Sequence, residues 1–258
     1  MGIVNVTPDS FSGDGVTNPD AATQVGLSQH QLGADLLDVG GESTRPGHRP
    51  VEATVEIARV VPVIRSLHSR LGDAPISVDT YKPEVLRAAY DAGARLVNSV
   101  WGAPEALLEL VAELNVPIVV MHNQVGTDYD GPVTDCVLRF LETCAMRATA
   151  RGIRQETVIL DPGIGFGKTA EQNIAVLREL HRLVSLGFPT MIGTSRKSTL
   201  GKLTGREPGD RVYATVATTA LAVAAGIDIV RVHDVAAARD TVAVADAIVR
   251  DWRPIGWT

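Results

Sequence analysis

Short apolar runs alternate with longer helix-like stretches along the whole chain. Eight runs end in small polar clusters, at residues 3–7, 35–40, 75–80, 95–100, 117–122, 157–162, 190–195 and 229–234. Runs of Val, Ile and Leu indicate strands buried on both faces, and alternation with helices indicates parallel pairing. Helices are predicted over residues 19–33, 52–70, 83–92, 104–114, 134–151, 170–186, 210–225 and 236–251. This pattern predicts an α/β fold, a single (β/α)₈ TIM barrel over residues 1–258.

Polar side chains fall at or near the carboxyl end of every predicted strand. They are Asn5, Asp38, Asp79, Asn98, His122, Asp161, Ser195, Arg231 and His233. In a TIM barrel the loops that follow the strands build the active site at this end. One such residue is an ordinary strand cap or turn residue, but polar residues on all eight strands indicate an enzyme.

Composition narrows the class of protein. Hydrophobic residues make up 45% of the chain, yet no apolar run approaches the ~20 residues of a membrane helix, so a protein without membrane contact is expected. A net charge of −6 argues against general nucleic-acid binding. Cys136 and Cys144 match no metal-ligand spacing, and we interpret them as reduced thiols of a cytoplasmic protein. No linker divides the chain, so one domain is predicted.

Two early loops have features suited to anions. The loop that begins at Asn5, NVTPDSFSGDG, offers oxygen ligands and backbone N–H groups for a diphosphate and a hard cation such as Mg²⁺. The loop GGESTRPGHRP carries Arg45 beside Thr44, where a guanidinium can bind a phosphate through two hydrogen bonds. Alternatively, the first loop is a plain turn, and Arg45 in the second loop is a solvated arginine.

Three residues from different strands are expected to converge at the barrel mouth. Asp79, Asn98 and Asp161 follow the third, fourth and sixth strands. Carboxylates and an amide suit a ligand with several N–H donors, such as an aminopyrimidinone. Two buried carboxylates need donors or a positive partner, and Lys197 is the expected partner. Alternatively, Asp161 caps the following turn and Asp79 caps the helix that starts near Lys82.

The last strands and their loops add cations and a ring. Lys197 and Ser198 open a helix whose N-terminus favours an anionic group. Arg231 and His233 lie two residues apart and therefore on one side of a strand, which predicts a phosphate site. A glycine-rich loop, DPGIGFGK, exposes Phe166 but has neither P-loop nor dinucleotide-binding spacing.

Taken together, these motifs resemble the dihydropteroate synthase family over nearly the whole chain. They occur in the family's order: NVTPDSFS, DVGGESTRPG, ISVDT, VN, VVMH, LDPGIGFGK, SRKS and RVHD. The resemblance implies a TIM-barrel transferase of folate biosynthesis. Such an enzyme joins 4-aminobenzoate to 6-hydroxymethyl-7,8-dihydropterin diphosphate and releases diphosphate and 7,8-dihydropteroate with the help of Mg²⁺. It also implies a homodimer.

The resemblance implies roles for individual side chains. The pterin ring would be held by Asp79, Asn98, Met121, Asp161, Lys197 and Arg231. The diphosphate would be bound by Asn5, Arg45, Arg231 and His233, with Asn5 also near Mg²⁺. The 4-aminobenzoate site would be bounded by Thr44, Arg45, Phe166 and Ser198. The catalytic set implied is Asp79, Asp161, Lys197, Arg231 and His233.

The sequence departs from the family pattern at three places. The first loop reads Gly-Asp-Gly, so that its carboxylate, Asp14, is displaced by one position. Asn98 is followed by Ser99 where the family has Asp, but neighbours on a strand face opposite ways, and Asn98 is kept as the ligand. The family's segment before the first strand is missing, so we expect a chain that is short at its N-terminus.

Two other functions fit part of the pattern. A corrinoid-dependent pterin-binding methyltransferase shares the barrel and the pterin ligands, but it does not need the diphosphate residues Arg45, Arg231 and His233. A catalytically impaired pterin-binding barrel is favoured by the displaced Asp14 and disfavoured by the complete set of ligands. Substrate turnover separates the three functions.

Overall fold

Short parallel strands alternate with helices in the computed structural model, which describes residues 1–7, 18–43 and 50–256. The strands are β1 Gly2–Asn5, β2 Leu37–Gly40, β3 Ile76–Asp79, β4 Leu96–Ser99, β5 Ile118–Met121, β6 Val158–Asp161, β7 Met191–Ile192 and β8 Ile229–Val230. The helices are α1 Pro19–Gln31, α2 Ala53–Leu71, α3 Pro83–Ala92, α4 Glu105–Leu114, α5 Val133–Thr149, α6 Ala170–Arg178, α7 Leu180–Val184, α8 Ser198–Thr204, α9 Val212–Ala224 and α10 Val235–Val249. None of the helices described is long and apolar enough to cross a membrane.

The strands pair in chain order around a ring. β1 to β6 form one parallel sheet, and β7 pairs with β8. A parallel bridge between Leu160 and Thr190 links β6 to the segment before β7. A second bridge, between Gly2 and Val232, returns the chain after β8 to β1, where Ile3 N donates to Val232 O at 3.1 Å. The predicted (β/α)₈ barrel is therefore confirmed.

Most of the apolar core lies between the ring and the helices. In α2 the residues Val60, Val63, Ile64 and Leu67 are fully buried, and their spacing matches one face of a helix. A smaller apolar cluster, which includes Met1, fills the inside of the ring near the N-terminal ends of the strands. The carboxyl ends are thereby left for polar side chains.

The helix predicted over residues 170–186 is two helices, so that prediction is wrong. α6 begins with a capping box, in which Thr169 and Gln172 bond to each other's backbone N–H. The backbone leaves helical geometry at Glu179, where φ is −114°, and α7 follows. Arg182 of α7 donates to Glu179 and to Asp135 of α5, so the second segment is joined to α5.

Candidate active site

Inside the ring, side chains change from apolar to polar toward the carboxyl ends of the strands. An apolar layer contains Leu36, Leu96, Val119, Ile159 and Ile229. Because side chains on a strand alternate between its two faces, the next inward positions lie two residues later. They are Asp38, Asn98, Met121, Asp161 and Arg231. The upper half of the barrel is thus lined by most of the residues predicted to hold a pterin.

Arg231 joins two carboxylates from neighbouring strands. Its Nε donates to Asp38 Oδ2 at 2.6 Å, and its terminal nitrogen donates to Asp79 Oδ2 at 2.9 Å. Asn98 Nδ2 donates to the same Asp38 oxygen at 3.0 Å. Asp79 does not cap α3, whose first backbone N–H groups receive no side-chain cap, so that alternative is wrong. Strands β2, β3, β4 and β8 are therefore connected through one buried ionic network.

Two acceptors in this network have unused capacity. Asp38 Oδ1 and Asn98 Oδ1 are buried, and neither has a hydrogen-bond partner among the residues that the structure describes. A buried polar atom without a partner costs about 1–3 kcal/mol. A ligand that brings N–H donors to this layer would recover that free energy.

Burial shifts the two predicted pterin carboxyls strongly. It raises the pKa of Asp79 to about 7, while the Arg231 guanidinium opposes the rise. It also raises the pKa of Asp161 to about 6, opposed by the hydrogen bond that Gly163 N donates to Asp161 Oδ1 at 2.7 Å. This bond confirms that Asp161 caps the following turn. Both carboxyls therefore ionise near neutral pH, and pKa values shifted in this way are typical of functional sites.

Lys197 approaches the same layer from the loop after β7. Its Nζ lies 3.9 Å from the centre of the Phe166 ring, a cation–π contact. Burial lowers the pKa of Lys197 to about 8, and Arg231 lowers it further. The hydrogen bonds to Asp79 and Asp161 come from Arg231 and from Gly163 N, while Lys197 lies close enough to interact electrostatically with both carboxylates. Its role as their positive partner stays a prediction. Arg231 rather than Lys197 bonds Asp79 because a guanidinium group can donate to two carboxylates at once.

Ser195 fixes the orientation of His233. The Ser195 hydroxyl accepts a hydrogen bond from the His233 backbone N–H at 3.1 Å, and it lies 2.9 Å from His233 Nδ1. In the tautomer whose Nδ1 accepts from the Ser195 hydroxyl, Nε2 carries the proton and is a hydrogen-bond donor for an anion.

The other predicted site residues lie at the ends of strands, at the start of α8 or outside the described ranges. Asn5 ends β1, and Met121 ends β5 beside Asp161 in the register of the sheet. Ser198 is exposed in the first turn of α8. Ser99 is fully buried beside Asn98, as the alternation of the strand predicts. Three residues lie outside the described ranges, and their roles stay predictions: Asp14, Thr44 and Arg45.

A buried ionic cluster closes the base of the second loop. Glu42 accepts hydrogen bonds from the Val51 backbone at 3.0 Å and from Lys82 Nζ at 2.5 Å. Lys82 also donates to Glu56 at 2.6 Å. Residues 42 and 51 are held together on either side of the predicted anion-binding residues, and the cluster connects them to α2 and to the start of α3. Sequence reasoning missed it because its members are far apart along the chain.

Asp38 and Ser195 are further residues whose roles sequence reasoning missed. Both belong to the polar set at the strand ends, but neither had a role in the predicted site. Asp38 is fully buried on a strand that is otherwise apolar, LDVG. An ionisable residue inside a buried strand is a signal that could have identified it, because such a residue requires a partner.

A closed parallel barrel with carboxylates, an amide and cations at its carboxyl end defines a barrel enzyme for a small ligand rich in N–H donors. Residues 1–233 match the family model described as "Pterin binding enzyme". The dihydropteroate synthase of Clostridium beijerinckii is 43% identical over 254 residues, which cover 97% of this chain and 94% of that protein. The chain belongs to the dihydropteroate synthase family.

Solved structures agree with this assignment. A dihydropteroate synthase from Clostridium difficile, solved in the presence of pteroic acid, superposes with a TM-score of 0.91 at 45% identity and covers 97% of this chain and 96% of that one. The enzyme from Xanthomonas albilineans with 4-aminobenzoic acid has a TM-score of 0.91 at 44% identity, with 98% and 93% covered. The similarity extends over the whole barrel.

Proposed function

We propose that this protein condenses 4-aminobenzoate with 6-hydroxymethyl-7,8-dihydropterin diphosphate to give 7,8-dihydropteroate and diphosphate. The observation that carries the proposal is the buried network at the carboxyl end of the barrel, which consists of Asp38, Asp79, Asn98 and Arg231, together with the neighbouring Asp161. The two solved relatives, one determined in the presence of pteroic acid and one with 4-aminobenzoic acid, support this choice of substrates.

Pterin recognition follows from the acceptors in this network. A pterin has an amino group and ring N–H donors on one edge. The carboxylate of Asp161 and the buried Oδ1 of Asn98 are acceptors for such donors. Lys197 supplies a donor for the ring's own acceptors, and Met121 supplies apolar contact beside Asp161. Asn98, Met121 and Asp161 lie in one layer because side chains alternate along β4, β5 and β6.

The chemistry requires both signs of charge in one site. The bond between the pterin methylene carbon and the diphosphate oxygen breaks, and its electron pair leaves with diphosphate. The amine nitrogen of 4-aminobenzoate forms the new C–N bond and loses a proton to solvent. Asp79 and Asp161 stabilise the positive charge that develops on the pterin, while Arg231 and His233 stabilise the departing anion. An arylamine is neutral and nucleophilic at pH 7, so no general base is assigned.

Mg²⁺ is proposed as the cation that accompanies the diphosphate. No group of three His, Cys, Asp or Glu side chains in the described ranges forms a metal site. Mg²⁺ is commonly held by one or two protein oxygens together with substrate phosphates and water, and an amide oxygen from Asn5 at the end of β1 fits that mode. When bound there, the ion would neutralise charge on the leaving group.

The 4-aminobenzoate site is proposed beside the pterin layer. Phe166 offers a ring face that already contacts Lys197, and the exposed Ser198 opens α8 next to it. Thr44 and Arg45 belong to the proposed site through the family motif alone. Arg45 is also assigned to the diphosphate by the same motif.

The experiment that tests the function measures diphosphate release by the purified chain. The synthase proposal expects release that needs Mg²⁺ and increases strongly when 4-aminobenzoate is added. Methyl transfer from a methylated pterin to a corrinoid, without diphosphate chemistry, would support the methyltransferase instead. Pterin binding without turnover of any substrate would support the impaired barrel.

A homodimer is proposed through the last two helices. Exposed apolar side chains lie on α9 and α10, with Leu221 69%, Val244 62% and Ile248 77% exposed. Neighbouring exposed apolar residues commonly mark an interface. Sedimentation velocity should give a dimer for the wild type, and the Ile248→Asp variant should shift the mass toward the monomer. A monomeric wild type at micromolar concentration would contradict the proposal.

A cytoplasmic location is also proposed. Cys136 and Cys144 are both free thiols, which is usual in a reducing compartment. Cell fractionation that recovers the protein outside the cytoplasmic fraction would contradict it.

A further inference from the structure

Lys168 is a buried lysine that the proposed chemistry does not use, and burial lowers the pKa of its ammonium group to about 7. Its side chain lies under the loop between β6 and α6, with only 9% of the residue exposed. Its Nζ contacts Gly163 O at 3.0 Å, Phe166 O at 3.1 Å and His122 Nδ1 at 2.9 Å. In its protonated form the group has three N–H donors, and these three acceptors fill its hydrogen-bonding capacity.

The imidazole of His122 is suited to accept this bond. Burial lowers the pKa of His122 to about 3, with Lys168 lowering it further, so the ring is neutral and Nδ1 can act as an acceptor. The ring also stacks on Tyr129, with centroids 6.0 Å apart, and meets Phe140 edge-on at 5.0 Å. Packing therefore fixes the acceptor that Lys168 meets.

The loop above Lys168 is a tightly wound segment. Gly163 has φ of +69°, and a Cβ there would lie 1.9 Å from His122 O, so the loop rests directly on the end of β5. Within the loop Phe166 N donates to Gly163 O at 3.1 Å, and the Tyr129 hydroxyl donates to Gly167 O at 2.7 Å. The Lys168 ammonium bonds the same Gly163 carbonyl and the Phe166 carbonyl, and so connects the two ends of this turn.

We propose that Lys168 is a positioning residue that holds the β6–α6 loop so that Phe166 is fixed for the 4-aminobenzoate half of the site. This inference rests on the proposed function. Lys168 bonds the carbonyl of Phe166, and the ring of Phe166 in turn contacts Lys197. The backbone of Asp161 is held by the pairing of β6 with β5 and by the bond that Asp161 O accepts from His122 N at 2.9 Å, and its carboxylate touches the loop only through Gly163 N. Loss of Lys168 should therefore disturb the 4-aminobenzoate half of the site more than the pterin half.

The kinetic test compares Lys168→Met with Lys202→Met, a matched change of an exposed lysine on α8. In Lys168→Met the KM for 4-aminobenzoate should rise about tenfold, while the KM for the dihydropterin diphosphate should stay within about twofold. Lys168→Arg keeps a cation and should recover part of the loss. Equal changes in both KM values, or a fall in kcat alone, would mean a general loss of structure and would overturn the proposal.

Hydrogen exchange in the unliganded protein gives a readout that does not depend on activity. The amides of Gly163, Gly165 and Phe166 should exchange faster in Lys168→Met, while those of β6 keep their protection. If Lys168→Met does not fold, His122→Phe removes one acceptor, keeps the ring packing, and should show the same loop effect more weakly. Unchanged loop exchange overturns the proposal. The two proposals can fail separately. If the wild type has no synthase activity but the loop amides of Lys168→Met still exchange faster, the proposed function is refuted and the role of Lys168 in holding the loop is retained.

Discussion

Replacing Asp161 with Asn is expected to weaken pterin binding and to stabilise the fold at the same time. Asp161 is 3% exposed, and its Oδ1 accepts a hydrogen bond from Gly163 N at 2.7 Å. Asn has the same shape and keeps an oxygen for that bond, so the turn after β6 should persist. The substitution removes the negative charge and replaces one acceptor with a donor.

The loss of affinity follows from the bond to the ligand. A hydrogen bond between a pterin N–H and a carboxylate is charge-assisted and worth about 1.5–3 kcal/mol, so binding should weaken roughly 10- to 150-fold. The amide group of Asn also directs an N–H donor at the N–H donors of the pterin. The loss of affinity should therefore lie near the upper end of this range.

The gain in stability follows from the pKa. Burial raises the pKa of Asp161 from 3.8 to about 6, so the unfolded chain loses this proton at lower pH than the folded protein. Stability therefore falls as the pH rises through this window, and above pH 6 the ionised carboxylate costs the fold about 3 kcal/mol at most. Asn carries no such cost. Its advantage should be complete at pH 8 and nearly absent at pH 4.

Calorimetry with a pterin lacking phosphates measures the first effect, and urea unfolding at pH 8 and pH 4 measures the second. Unchanged pterin affinity would reduce Asp161 to a turn cap. A variant less stable than the wild type at pH 8 would refute the claim that burial dominates its ionisation.

The remaining predictions concern the cations and the pH profile. His233→Ala should weaken binding of the dihydropterin diphosphate far more than binding of a pterin without phosphates, and the wild-type preference should shrink with added salt; equal losses measured by calorimetry would remove His233 from the anion site. The kcat/KM for the dihydropterin substrate should rise through pH 6 to 7 as Asp161 and Asp79 ionise, and fall above pH 8 as Lys197 loses its proton. Lys197→Arg should remove the alkaline fall, because arginine stays charged; a profile that still falls above pH 8 would assign that limb to another group.

The barrel could be predicted from sequence because its strands are buried on both faces. Each strand is a short apolar run followed by a polar residue, and this signal is local. Asp79, Asn98, Asp161 and Arg231 were found by the same signal, since the carboxyl ends of parallel strands share one end of the barrel. The structure places all four in the predicted upper layer or beside it.

The pairing of charges could not be predicted in the same way. Arg231 and Asp38 are separated by 193 positions in the chain, and only the closure of the ring brings them together. Lys197 matches Asp79 in charge, but the hydrogen bond to Asp79 comes from Arg231, whose guanidinium also reaches Asp38. The role of Lys168 depends on two backbone carbonyls, which no sequence pattern reveals.

The measurement that tests the central claim most directly is the stoichiometry of a single reaction. The purified chain, the dihydropterin diphosphate, 4-aminobenzoate and Mg²⁺ are mixed, and diphosphate and 7,8-dihydropteroate are quantified together by mass spectrometry. The account predicts equal amounts of the two products. Diphosphate without dihydropteroate, or neither product from a folded protein, would contradict it.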